Sequence, residues 1–247
     1  MDRMIYIAMT GARETLNHQA TVSHNLANAA TNGFRAQLSA LRATPVFGEG
    51  SPTRAFVVDS TPGSDFTPGP VQHTGRDLDV SVQGPGWIAV QAADGTEAYT
   101  RNGSLQVNAA GLLETRNGLA VVGDGGPISI PQDVQIVVAR DGTISAVPTS
   151  NPLNAVTTVG RIKLVNPAET DLQRGDDGLF RMKTGGTVPA DANVALMPES
   201  LEGSNVNVVE AMVNMITLAR QFDMQVKLIS NADQNASKAS QILNLNA

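Results

Sequence analysis

The sequence predicts an α+β protein in which long N- and C-terminal helices pack as a coiled coil, with one central all-β domain of short antiparallel strands between them. Two observations predict this fold. Apolar residues recur at helical spacing near both ends of the 247-residue chain, whereas the middle alternates apolar and polar residues between closely spaced turn signals. No helical pattern interrupts the middle, which argues against a parallel α/β sheet.

The predicted domain organisation follows these changes of pattern. Residues 1–33 form an N-terminal assembly helix, residues 34–75 an extended linker rich in Pro and Gly, residues 76–197 the central β domain, and residues 198–247 a C-terminal assembly helix. Because Pro and Gly break regular structure, only a short helix over residues 34–43 is expected within the linker.

The N-terminal helix is predicted from a stripe of mostly small apolar residues. The stripe begins with residues spaced by three or four: Ile5, Met9, Ala12 and Leu16. That spacing places them on one face of a helix. Gly33 supplies the stop, because glycine tolerates the left-handed backbone conformation that ends many helices.

The C-terminal helix is predicted from a heptad seam. Spacings of three and four alternate along its ten positions, eight of them apolar: Met212, Met215, Ala219, Phe222, Val226, Ile229, Asp233, Ala236, Ser240 and Leu243. A pattern sustained over four heptads is typical of a coiled coil. Ser204 or Asn205 is the predicted N-cap. Since neither terminal helix can bury its stripe alone, the two ends are expected to pack together and against neighbouring subunits.

The central β domain is predicted from short alternating runs and from turn dipeptides. The clearest runs lie at 78–82, 87–90, 134–138 and 161–165. Six dipeptides separate such runs within about 85 residues: Asp94-Gly95, Asn102-Gly103, Asn117-Gly118, Asp124-Gly125, Asp141-Gly142 and Asp177-Gly178. These dipeptides favour the tight turns that join antiparallel strands.

Composition excludes several classes of protein. The formal net charge is −6 and no basic stripe occurs, so a nucleic-acid-binding surface is not expected. Cysteine is absent, which excludes disulfides and thiolate chemistry. No apolar run reaches the roughly 18 residues of a membrane span, and the N-terminus lacks the continuous apolar segment of a cleavable signal peptide.

No group of residues indicates catalysis. His18 and His24 fall on different faces of the predicted helix, so they do not form a metal-binding pair. Asp77 and Asp79 share a face of a predicted strand, but a solvated face or pairing with Arg76 explains them more simply than acid–base chemistry. The sequence therefore predicts a protein that is not an enzyme, with no catalytic, cofactor-binding or metal-binding residue. A carbohydrate-active β domain and a secreted adhesin are the rival classes.

Motifs along the whole chain resemble those of one family. They are Asn-Leu-Ala-Asn at 25–28, Thr-Asn-Gly-Phe-Arg-Ala at 31–36, Asp-Leu-Asp-Val at 77–80, Gly-Pro-Gly-Trp at 84–87, Tyr-Thr-Arg-Asn-Gly at 99–103 and Leu-Glu-Gly-Ser-Asn-Val-Asn at 201–207. In this order they resemble the bacterial flagellar basal-body rod and hook proteins. The length of the chain and the local sequence are most similar to the proximal rod proteins. A distal rod or other hook-family axial subunit is the alternative.

The resemblance implies a structural subunit that assembles through its terminal helices and transmits torque from motor to hook for motility. It implies export through the flagellar export apparatus, a place in the rod within the periplasm, and partners among the inner and distal rod proteins and neighbouring copies of itself. The predicted assembly interface draws on both ends of the chain: Ile5, Met9, Ala12, Leu16, Asn25, Leu26, Asn28, Gly33, Phe34, Ser204, Asn205, Met212, Met215, Ala219, Phe222, Val226, Ile229 and Leu243.

Overall fold

A computed structural model describes residues 3–45, 55–131, 134–148 and 156–244 of the chain. Helices lie near the two ends and strands between them. The elements, in chain order, are α1 (Arg3–Ala27), β1 (Gln37–Pro45), β2 (Ala55–Ser64), β3 (Val71–His73), β4 (Val80–Gln83), β5 (Trp87–Gln91), β6 (Glu97–Thr100), β7 (Leu105–Val107), β8 (Leu113–Thr115), β9 (Val122–Gly123), β10 (Gly126–Pro127), β11 (Val134–Val138), β12 (Thr143–Pro148), β13 (Thr157–Arg161), β14 (Leu164–Val165), a 3₁₀ turn (Glu169–Asp171), β15 (Leu172–Arg174), β16 (Phe180–Met182), β17 (Ala195–Pro198), β18 (Ser200–Glu202) and α2 (Val208–Asn244).

The chain forms two compact units. The first, called here the helical unit, comprises Met1–Asn28, Gln37–Asp65 and Val206–Ala247. It contains both helices and the β1–β2 hairpin. The second, called here the β body, comprises Ala29–Ala36 and Phe66–Asn205 and contains the remaining strands.

The two helices of the helical unit pack against each other and run antiparallel. Val22, late in α1, packs with Ala211 and Leu218 in the first turns of α2. Thr15, earlier in α1, accepts a hydrogen bond on its Oγ1 from the side-chain amide of Gln225, later in α2, at 3.2 Å. As the residue number falls along α1 it rises along α2, which fixes the antiparallel direction.

The predicted coiled coil between the terminal helices, with one central β domain, is wrong, although the fold is α+β. Met212 and Val226 of the predicted seam are exposed, whereas the neighbouring Ala211 and Leu218 are buried and Gln225 lies against α1. Strands also occur in both units and form seven separate sheets in the described part of the chain. The heptad count failed because apolar residues cover more than one face of α2.

The ends of the helices also differ from prediction. α1 ends at Ala27, well before Gly33, and the side-chain amide of Asn28 donates to the carbonyl of His24 at 2.9 Å. α2 begins at Val208, so neither Ser204 nor Asn205 is its N-cap. Asn207 takes that role, because its Oδ1 accepts the backbone N–H groups of the second and third helical residues at 3.1 and 3.3 Å.

Residues 34–43, predicted as a short helix, instead lead into β1. This strand pairs antiparallel with β2, and the register runs from Gln37 opposite Ser64 to Pro45 opposite Ala55. The side chain of Asn25 fixes the entry to the hairpin, since it both donates to and accepts from the backbone of Gln37 at 2.9 Å. Pairing with a strand distant in sequence supplies hydrogen bonds that a local propensity argument does not count.

The strands of the β body form one five-stranded sheet, one three-stranded sheet and four strand pairs in the described residues. The five-stranded sheet has the order β14-β5-β6-β16-β15, and the three-stranded sheet has the order β11-β12-β13. The pairs are β9–β10, β4–β17, β3–β18 and β7–β8. All of these pairings are antiparallel, as the turn dipeptides predicted.

Two hydrophobic clusters fill the β body. The larger is aliphatic and includes fully buried Val80, Ile88, Leu105 and Leu196. The smaller collects aromatic rings: Trp87 packs against Phe180 with ring centroids 4.6 Å apart, and Phe66 meets Trp87 edge-on at 5.9 Å. Aromatic residues are only 4% of the chain, so concentrating them here gives the body a second core.

A largely buried ion pair lies beside this aromatic cluster. Lys163 Nζ contacts both carboxylate oxygens of Glu97 at 2.8 and 2.9 Å, and the Tyr99 hydroxyl donates to Glu97 at 3.0 Å. Burial raises the pKa of Tyr99 to about 12, helped by the adjacent carboxylate and opposed by the Val188 N–H that donates to the phenol oxygen. The phenol therefore remains protonated well above neutral pH.

Candidate assembly surfaces

One face of α2 exposes a continuous group of apolar side chains. Val209 is 71% exposed, and Val213 and Ile216 are each 56% exposed. With the half-exposed Met212 they follow the spacing of a single helix face. We call Val209, Met212, Val213 and Ile216 the α2 apolar face. Burying one such side chain fully stabilises an interface by about 1.5–3 kcal/mol, so this face favours association with another surface.

Other exposed apolar side chains also concentrate in the helical unit. In α1 they are Tyr6, Met9 and Leu16; in the hairpin they are Leu38, Leu41 and Val58. The β body has more described residues than the helical unit, yet it exposes fewer large apolar side chains: Val71, Val137, Val156 and Met197. Contiguous exposed apolar surface marks an interaction site, so the helical unit carries the surface suited to assembly.

The predicted interface residues of the two helices fall into groups that differ in exposure. Met9, Leu16, Met212, Ala219 and Val226 are exposed. Ala12 is buried within the helical unit. The partly buried members are Ile5, Leu26, Met215, Phe222 and Ile229. Leu243 belongs to α2, but its side chain lies outside the described part of the structure. The exposed residues can contact a neighbouring subunit, whereas the buried and partly buried residues already pack within the helical unit.

The motif at 31–36 turns sharply at Gly33 and inserts into the β body. Gly33 has φ +68°, and a Cβ placed there would lie 2.2 Å from the carbonyl carbon of Arg101. Only glycine fits both constraints. The turn then buries Phe34 and Arg35, and the guanidinium of Arg174 stacks over the Phe34 ring at 4.5 Å. Arg174 also donates to the Arg35 carbonyl at 2.9 Å.

The motif at 201–207 contacts this turn through Glu202. Arg35 Nη1 lies 2.6 Å from Glu202 Oε1, and Arg101 Nη1 lies 3.1 Å from Glu202 Oε2. Arg35 and Glu202 are each 1% exposed. We call Arg35, Arg101 and Glu202 the Glu202 cluster. Burial lowers the pKa of Arg101, and the carboxylate of Glu202 opposes that shift. A guanidinium remains charged, so these are ion pairs removed from water.

Asn205 makes a second set of bridges between the motifs. Its Oδ1 accepts the Ala36 N–H at 2.7 Å, and its side-chain amide donates to the Thr67 carbonyl at 3.1 Å. Its backbone N–H donates to the Phe34 carbonyl at 3.4 Å. Ser204, also predicted at the interface, is buried.

The sequence singled out Gly33, Phe34 and Asn205 but missed the charged members of the same cluster. Arg35, Arg101 and Glu202 each stand inside a quoted motif. Their place inside these motifs was the signal that could have identified them. Their pairing follows from their burial, since charged residues are almost never fully buried unless they are paired.

Asp77 and Asp79 do not form a shared site. Asp77 is exposed, whereas Asp79 is buried and accepts the Thr74 hydroxyl at 2.8 Å, with Arg76 3.6 Å away. Among the described residues, no group of three or more His, Asp or Glu side chains is placed to hold a metal ion.

No helix in the described ranges is long and apolar enough to cross a membrane.

The fold and its surfaces define a class of protein: an assembly subunit, in which a folded β body carries a helix pair with exposed apolar faces. Comparison with known proteins gives the family. The family model described as Flagellar basal body rod FlgEFG protein C-terminal matches residues 197–242. The model described as Flagellar hook protein FlgE/F/G D1 domain matches residues 81–146.

Full-length relatives agree with these matches. The chain is 52% identical to the flagellar basal-body rod protein FlgF of Escherichia coli (strain K12), with 99% of this chain and all of the relative covered. It is 32% identical to FlgF of Caulobacter vibrioides, with 97% of each chain covered. It is also 32% identical to the flagellar basal-body rod protein FlgG of Agrobacterium fabrum, with 98% and 99% covered. The chain belongs to the flagellar basal-body rod protein family, and its full-length similarity to FlgF confirms the resemblance found in the sequence.

Proposed function

We propose that this protein is a structural subunit of the proximal part of the flagellar rod, which assembles through its terminal helices and transmits torque from the motor to the hook. Its place is the rod of the flagellar basal body. The observation that carries the mechanism is the α2 apolar face, which the helical unit itself does not cover. Full-length similarity to FlgF proteins supports the proximal position over the distal one.

In this proposal the helical unit is the part of the subunit that assembles. Its partners are neighbouring copies and the inner and distal rod proteins. Burial of the apolar faces of α1 and α2 against these neighbours drives assembly. Interlocked helices then carry torque along the axis, and no catalytic step is required.

We further propose that the subunit reaches the periplasm through the flagellar export apparatus. A chain that crosses this apparatus unfolded has to fold afterwards. The absence of cysteine suits such a route, because no disulfide has to form after export.

Expression of this chain in a bacterium that lacks its own FlgF tests the proposal. In Escherichia coli we expect restored swimming and recovery of the chain in purified basal bodies, because the chain is 52% identical over its full length to the FlgF protein of that organism. A strain lacking FlgG serves as the control and is expected to remain non-motile. Rescue of the FlgG strain instead would identify a distal rod subunit, and rescue of neither strain would contradict the proposal.

A further inference from the structure

Three segments of the β body connect it along the chain to the helical unit. Glu202 lies in one of these segments and contacts the other two. Its backbone carbonyl accepts the Gly33 N–H at 2.8 Å, in the segment between α1 and β1. Its Oε1 accepts the Gly69 N–H at 3.1 Å, in the segment that follows β2. Glu202 itself lies in the segment that precedes α2. One residue therefore joins all three connecting segments within the β body.

Neighbouring residues reinforce the same junction. Asn205 links Ala36 to Thr67, as described above, and the Gly203 N–H donates to the Pro70 carbonyl at 2.8 Å. The contact between these backbones is close, since a Cβ at Gly69 would lie 2.2 Å from the carbonyl oxygen of Gly203. The three segments are thus fixed to one another by main-chain and side-chain contacts together.

The chemistry of Glu202 explains why an ionised side chain is used at this position. A buried ion pair is weak evidence for stability, because an apolar replacement of similar size is often equally stable. An apolar side chain cannot, however, accept hydrogen bonds in several directions. The carboxylate of Glu202 presents two oxygens, one toward Arg35 and Gly69 and the other toward Arg101. Its value lies in joining segments that arrive from different directions.

We propose that Glu202 is a positioning residue that holds the three connecting segments together in the β body, and that it retains them there when the subunit is under load. The second half of this statement rests on the proposed function in the rod. The first half is a property of the isolated subunit. Load that enters the β body along these segments acts on the Asn205 bridges and on the Glu202 cluster behind them, so the cluster resists detachment of the segments.

Amide hydrogen exchange of the full chain tests the first half, with Glu202→Gln compared with wild type. Glutamine keeps the size of the side chain and removes its charge. Without the carboxylate the junction loses the charged acceptor of Gly69 and the partner of two buried guanidinium groups, so its segments should open together and the amides of Gly33, Ala36 and Gly69 should exchange more than about tenfold faster. Glu97→Gln is the matched control, since it breaks another largely buried ion pair, with Lys163, away from these segments. It should leave the three amides unchanged.

Two results would overturn the first half: wild-type exchange at these amides in Glu202→Gln, or equal acceleration in Glu97→Gln. If Glu202→Gln fails to fold, Asn205→Ala replaces it. That variant loses the acceptor of the Ala36 N–H, so Ala36 should exchange faster while Gly69 does not. Unchanged exchange at Ala36 would then count against the junction.

Swimming in media of increasing viscosity tests the second half. Glu202→Gln subunits are expected in basal bodies in normal amounts, yet their cells should stop swimming at a lower viscosity than cells carrying Glu97→Gln. Equal swimming despite faster exchange would overturn the role under load. Absence of both variants and of wild type from basal bodies would instead contradict the proposed function and leave the exchange result standing.

Discussion

The double substitution Val213→Asp with Ile216→Asp is expected to abolish rod assembly and motility while leaving the subunit folded. Both side chains belong to the α2 apolar face and are more than half exposed, so the isolated helical unit does not depend on them. In an assembled rod each aspartate would be a buried, uncompensated charge, which costs about 3–5 kcal/mol. Even 3 kcal/mol weakens association by about 100-fold.

Matched variants separate the loss of apolar contact from the gain of charge. Asn214→Asp adds a charge on the same turn of α2 but outside the apolar face, and it should swim normally. Val213→Ala with Ile216→Ala removes apolar area without charge and should give an intermediate loss. The measurements are swimming in soft agar and circular dichroism of each purified subunit. Normal motility of the double aspartate variant would show that this face is not an assembly surface.

Gly33→Ala is expected to destabilise the β body by about 3–5 kcal/mol, near the upper end for a single substitution. The left-handed backbone at φ +68° alone costs an alanine about 1–2 kcal/mol. The remainder arises because the new Cβ would lie 2.2 Å from the carbonyl carbon of Arg101 and 2.4 Å from the backbone nitrogen of Asn102. Both atoms belong to the Arg101–Asn102 peptide group, which cannot move aside as a flexible side chain would.

Gly75→Ala provides a closely matched control in the same unit. Gly75 has φ +70°, but no atom lies within 4 Å of the position a Cβ would take, so only the backbone cost of about 1–2 kcal/mol applies. Urea unfolding followed by Trp87 fluorescence reports on the β body, because Trp87 is the sole tryptophan and is buried there. Equal losses in the two variants would show that the close approach of Gly33 to Arg101 has no energetic effect.

The seam of α2 shows how far helical periodicity could be read from sequence. Met215, Phe222 and Ile229 are partly buried, as a seam requires, but Met212 and Val226 of the same seam are exposed. In a helix that also exposes an apolar face to neighbours, apolar residues occur on two sides. A count of apolar spacings cannot tell the face used within the subunit from the face left for assembly.

In the β body, the sequence predicted one tight turn correctly and another incorrectly. The predicted dipeptide at Asp94-Gly95 forms the turn between β5 and β6, because a local backbone preference decides such a turn. Asn102-Gly103 is not used in that way. Gly103 is instead required by the close approach of Val80, whose carbonyl oxygen would lie 1.7 Å from a Cβ. Contacts between distant segments decided this position, as they decided the burial of Arg35 against Glu202.

The central claim is that the helical unit of this rod-family subunit assembles through the exposed apolar face of α2. Because the chain contains no cysteine, a single Val213→Cys substitution reports on that face alone, and Val137→Cys reports on a comparably exposed valine of the β body. The measurement is the rate at which a thiol reagent labels each variant, first as free subunit and then in purified basal bodies. The account predicts that Val213→Cys is labelled readily in the free subunit and is protected after assembly, to a much greater extent than Val137→Cys. Equal labelling of Val213→Cys before and after assembly would contradict it.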